Sequence, residues 1–147
     1  MLSQALSELY KRDIPRIKAE IAAYSSEEAI WQKADGITNS AGNLSLHLSG
    51  NLQHFLGAEL GGTEYIRDRE FEFAGTVSRQ ELLDDLDAAL TSVTETLDGI
   101  PDYELKNKYP QEIGGNTFTI EGFFLHLYGH LNYHLGQINY HRRLLDK

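Results

Sequence analysis

The chain has 147 residues, 24% of them charged and 41% hydrophobic, which is about one domain and enough to bury a core without staples. A net charge of −9 argues against nucleic acid as a partner, because phosphate binding rests on a basic footprint. The basic clusters at Lys11 to Lys18 and at Arg142 and Arg143 read as solvated helix faces. No cysteine is present, so thiolate ligands and a protein-borne cysteine nucleophile are excluded, and the expected compartment is the cytoplasm. The first residues lack an apolar signal core and no apolar run nears 18 residues, so no membrane is expected as a partner.

In chain order, Leu6, Leu9, Ile14, Ile17 and Ile21 recur at helical spacing and predict an amphipathic helix over residues 3–24. Pro15 is expected to kink it or split it. A polar stretch with Trp31 follows, and a second helix is predicted from about Gly42 to Leu60, capped near Ser40 and closed by Gly61 and Gly62. The segment GTEYIRDREFEFAGT is too polar and charged for a helix and reads as a long connection, with Arg67 and Arg69 pairing at the surface with Asp68 and Glu70. Ser78 and Glu81 form a capping box ahead of Leu82, Leu86, Leu90, Val93 and Leu97, predicting a third helix over residues 79–98. Pro110, Gly114 and Gly115 break the next stretch into an irregular or short hairpin segment. A fourth helix is predicted from about Ile120 to Leu145, with Thr119 as its cap. Four long helices with two long connections and no alternating strands predict an all-α chain, a four-helix bundle forming a single domain over residues 1–147.

The fourth helix carries the chemistry. His126, His130 and His134 stand one turn apart along one edge of its apolar arc, and histidines four residues apart can share a metal ion. The outer two are roughly 12 Å apart along the axis, too far for bonds of about 2 Å to one ion. The usable pair is therefore His126 with His130 or His130 with His134. The second helix offers His47 and His54 on the edge of its own apolar arc, and a third ligand must come from one of them. Each histidine edge borders a stripe of glycines, Gly50, Gly57 and Gly61 on one helix and Gly122, Gly129 and Gly136 on the other. Glycine inside a helix costs up to about 1 kcal/mol, so the stripes serve either close helix approach or open space beside the imidazoles.

The strings LHLSGNLQHFLGAEL and HLYGHLNYHLGQI together resemble the DinB-like superfamily, small four-helix-bundle proteins that dimerise and hold a divalent metal with three histidines. The resemblance covers nearly the whole chain, and its most specific piece is the closing H-x-x-x-H-x-G-Q-I. It implies His47, His130 and His134 as the metal ligands and leaves His54, His126 and His141 without that role. Understood members are metal-dependent transferases acting with low-molecular-weight thiols, such as bacillithiol transferases and the mycothiol-dependent maleylpyruvate isomerase. The branch this chain most resembles has no assigned reaction.

The expected function is that of a metal-dependent transferase joining a low-molecular-weight thiol to a small-molecule electrophile, in a homodimer. The alternatives are a hydrolase using metal-activated water and a non-enzymatic dimeric binding module with a structural metal. Imidazole suits zinc, nickel, copper and iron alike. Gln137, one turn beyond His134, and Asn51, one turn beyond His47, are the candidates to hydrogen-bond a ligand or orient an imidazole. Arg67 and Arg69 are the candidates to clamp an anionic cosubstrate.

Overall fold

The computed structural model describes residues 1–147 and is all-helical, with six α-helices, four of them long. Helix α1 spans Leu2–Ala22, α2 Glu27–Trp31 and α3 Ala41–Leu52, the last continued by a π-helical segment Gln53–Ala58. Helix α4 spans Arg69–Ala74, α5 Arg79–Gly99 and α6 Ile120–Leu145. Helices α1 and α3 each pack against both α5 and α6, so the four long helices close a bundle around one core of 26 buried residues. No helix is long and apolar enough to cross a membrane.

Local chemistry sets the ends. The Ser40 side chain accepts from the Asn43 backbone N–H while Asn43 Oδ1 accepts from the Ser40 N–H, so α3 begins with a reciprocal capping box. The Ser78 and Glu81 box opens α5, and Thr119 caps α6 by accepting from the Gly122 N–H. Between α5 and α6 the chain makes two isolated antiparallel bridges, Lys108 with Thr119 and Ile113 with Asn116, around the left-handed Gly114 and Gly115.

Of the two outcomes open at Pro15 the split does not occur, and one further expectation needs correction. Helix α1 is not split at Pro15, because the proline lies on the exposed side, where the Lys11 carbonyl that loses its N–H partner faces water. The polar connection after Gly62 is not wholly irregular: Asp68 accepts from the Phe71 N–H and caps the short helix α4, which Gly75 ends. Local capping outweighed the unfavourable composition there.

Candidate metal centre

Helix α3 presents His47 from its buried middle, and α6 presents His130 and His134 one turn apart. The three bring one ring nitrogen each to within 4.8 Å of the others. Nε2 of His130 lies 3.1 Å from Nε2 of His47 and 3.0 Å from Nε2 of His134. Nitrogens bound to one ion at about 2.0–2.1 Å are separated by about 3.0–3.4 Å, so this spacing fits a shared ion.

His47 Nδ1 lies 3.0 Å from Glu72 Oε1, a carboxylate oxygen that only accepts, so Nδ1 carries the proton. Arg67 Nη2 also approaches that nitrogen, at 3.4 Å, but is itself engaged by Glu72 Oε1 at 2.8 Å. His134 Nδ1 donates to Gln137 Oε1 at 2.6 Å. Both rings therefore turn bare Nε2 lone pairs inward.

His130 sits between them with a buried Nδ1 that has no partner. A proton on its Nε2 would serve one facing lone pair, neglect the other and leave Nδ1 an orphan acceptor. A proton on Nδ1 would leave three lone pairs facing one another. Double protonation is resisted, since burial and the charges of His134 and His47 push His130 down to about 4. No distribution of protons among these rings satisfies the cluster, whereas one cation accepts all three Nε2 lone pairs. The donor set of three neutral imidazoles fits a divalent ion.

The family of proteins of unknown function DUF1572 matches residues 3–147, a span that contains every element of this site. The chain belongs to that family. Among curated proteins none matches it. Membership in DUF1572 is consistent with the DinB-like resemblance.

Within this DUF1572 chain, the other sequence candidates fall away from the cluster. His126 is exposed and stacks on Phe123, with ring centroids 6.0 Å apart. His54 lies 3.9 Å from Glu59. His141 is buried between the Tyr24 hydroxyl, 2.7 Å from Nδ1, and the Gln32 carbonyl, 2.7 Å from Nε2. Gln137 orients an imidazole, one of the two roles its position allowed. Asn51 is buried but makes no hydrogen bond to the three histidines, and its Oδ1 lacks a partner. Neither arginine of the connection pairs with Asp68 or Glu70. Arg67 forks onto Glu72, Nε to Oε2 at 2.7 Å, and Arg69 lies over the Phe73 ring at 5.2 Å.

Glu72 is the residue that sequence reasoning missed. Burial alone would raise its carboxyl, but the hydrogen bonds from Arg67 and His47 outweigh it and hold the group below the usual range. A Cβ on Gly50 would overlap Glu72 Oε2, so that glycine admits the carboxylate beside His47. Asn43 Nδ2 donates to the Glu72 carbonyl at 3.2 Å and docks α4 onto α3. The readable signal was an acid between Phe71 and Phe73 in a capped segment, together with a glycine three residues after His47. The glycine stripes also differ in purpose. Gly57 and Gly61 face Ser92 and Thr96 of α5 at close range, whereas Gly129 and Gly136 have nothing within 4 Å.

Proposed function

We propose that His47, His130 and His134 hold a divalent ion, zinc, nickel or iron, and that the protein uses it to join a low-molecular-weight thiol to a small electrophile. The observation that carries this reading is the convergence of three Nε2 lone pairs that no internal proton can satisfy. An ion held by three imidazoles keeps positions open and lowers the pKa of a thiol or water bound there. Glu72 and Gln137 fix the tautomers of His47 and His134, and burial keeps His130 neutral and ready to ligate. With no cysteine in the chain, the sulfur must arrive on a cosubstrate. A cavity of about 450 Å³ beside His134 offers room for a small molecule.

Elemental analysis of the purified protein and of His130→Ala tests the ion, and equal metal content in the two would refute it. A panel of thiols with electrophiles, run beside a panel of esters and amides, tests the reaction. Conjugation supports the transferase; turnover of the esters without thiol assigns the site to activated water instead.

The same reading includes a homodimer. The exposed face of α6, with Leu125, Gly129, Tyr133 and Gly136 in line, supports it as a contact surface. Light scattering at micromolar concentration measures the mass, and a monomer would remove this part of the proposal.

A further inference from the structure

The cavity beside His134 lies between the strap Ala34–Asn39 and the C-terminal half of α6. The strap is held at both ends. Its start is tied to α6 where His141 Nε2 donates to the Gln32 carbonyl, which can only accept, so that Nδ1 is left to accept from the Tyr24 hydroxyl. Its end runs into the Ser40 capping box of α3. In between, the Ile37 N–H donates to the Ala34 carbonyl at 3.2 Å around Gly36, whose φ of +86° suits glycine. The wall facing α6 is therefore preformed.

The lining mixes apolar and neutral polar groups and carries no cationic side chain. Ile37, Leu44, Leu144 and Leu145 supply apolar surface, and none of the thirteen lining residues is a lysine or arginine. Asp35 is the one carboxylate. In the metal-free chain an anionic ligand would therefore meet no cationic side chain in the lining and one carboxylate, and would give up hydration without gaining a counter-charge. Gln137 adds direction: its Oε1 is committed to His134 Nδ1, while its Nε2 makes no hydrogen bond within the chain. Two amide N–H donors are thus available where the cavity meets the histidines.

We propose that this cavity binds an uncharged molecule with an apolar body and a carbonyl oxygen, the oxygen accepting from Gln137 Nε2 beside His134, and that in the metal-free chain it takes such a molecule in preference to a carboxylate or a phosphate. Binding itself needs no metal. That the bound carbonyl compound is the electrophile of the reaction rests on the proposed function above.

Methyl 2-naphthoate and 2-naphthoate share one body and differ in charge, so titration calorimetry of the full chain with both tests the proposal. The comparison belongs in chelator-stripped protein, because a bound cation would itself attract the carboxylate. The ester is expected to bind at least tenfold more tightly than the carboxylate. Ile37→Lys, in an exposed loop position, should shrink or invert that preference, and Gln137→Glu, which keeps an acceptor for His134 but loses the donors, should weaken the ester at least fivefold. No ester binding, equal binding of the two probes, or indifference to Ile37→Lys would each overturn it. Ester binding in a protein that takes up no metal would leave the cavity assignment standing and remove the metal reading alone.

Discussion

Glu72 Oε1 lies 3.0 Å from His47 Nδ1, and the same carboxylate takes the fork of Arg67. One acid from a short helix in a connection thereby sets the tautomer of an imidazole on a long helix. Glu72→Gln retains the shape and removes the charge, and is expected to weaken metal binding by about 10- to 100-fold, as losses of such outer partners do. Competition against a chelator of known affinity measures it. Glu72→Ala should go further and destabilise the fold by about 1–3 kcal/mol, because the half-buried Arg67 loses its carboxylate partner. An unchanged metal affinity in Glu72→Gln would show that the carboxylate serves Arg67 alone.

Two glycine substitutions are expected to act in opposite directions. Gly50→Ala drives a methyl group into Glu72 and should lower both melting temperature and metal affinity although it touches no histidine. Gly136→Ala meets nothing within 4 Å and sits mid-helix, so it should stabilise an isolated protomer by about 0.5–1 kcal/mol. In a dimer joined through this face it would instead loosen the assembly. Thermal melts at two protein concentrations, combined with light scattering, separate these cases.

Much of this was legible in the sequence because it is periodic. The four long helices follow from apolar spacing, and Ser40, Ser78 and Thr119 mark their starts by side-chain oxygens placed at the caps. The histidine edges of α3 and α6 follow from the same periodicity, but which pair and which partner meet does not. That depends on the axial register of two helices 83 residues apart in sequence, as the contact between His47 and His130 shows. Glu72 was illegible for a related reason. Its helix is too short for periodicity to reveal, and its role exists only after Gly50 and Asn43 have docked α4 against α3. Arg67 read as a surface charge because sequence places Asp68 beside it, whereas in space Glu72 is its partner.

Acid should weaken the metal-free protein through His130. Burial and the neighbouring imidazoles push this ring down to about 4 from its ordinary 6.5. Between those values the unfolded chain binds a proton that the folded chain refuses, so stability falls as the pH drops from about 6.5 to 4. His134 is lowered as well, by burial first, and contributes in the same direction. Urea midpoints of stripped protein at pH 7.5 and 5.0 should differ, and His130→Gln should flatten the difference. In loaded protein the decline should steepen, since protons and metal compete for the same nitrogens. A midpoint difference as large in His130→Gln as in the parent chain would assign the acid sensitivity to other groups.

Replacing the histidines of α6 one at a time tests whether adjacency in sequence means membership in the site. His126, His130 and His134 look equivalent on a helical wheel, but their surroundings differ. His126 is exposed, and its ring lies against Phe118 and Phe123 with centroids 5.0 and 6.0 Å away. His126→Ala is therefore expected to leave metal stoichiometry unchanged and to cost less than about 1 kcal/mol, the scale of one surface aromatic contact. His134→Ala removes a nitrogen 3.0 Å from His130 Nε2 and strands Gln137 Oε1 without its donor. Two imidazoles remain, too few for a stable site in which water already fills the open positions. Equilibrium dialysis against zinc should give one ion per chain for the parent and His126→Ala, and none at micromolar metal for His134→Ala. The reverse ranking would move the site one turn toward the start of α6, to His126 with His130, the pairing that spacing left open and the fold disfavours.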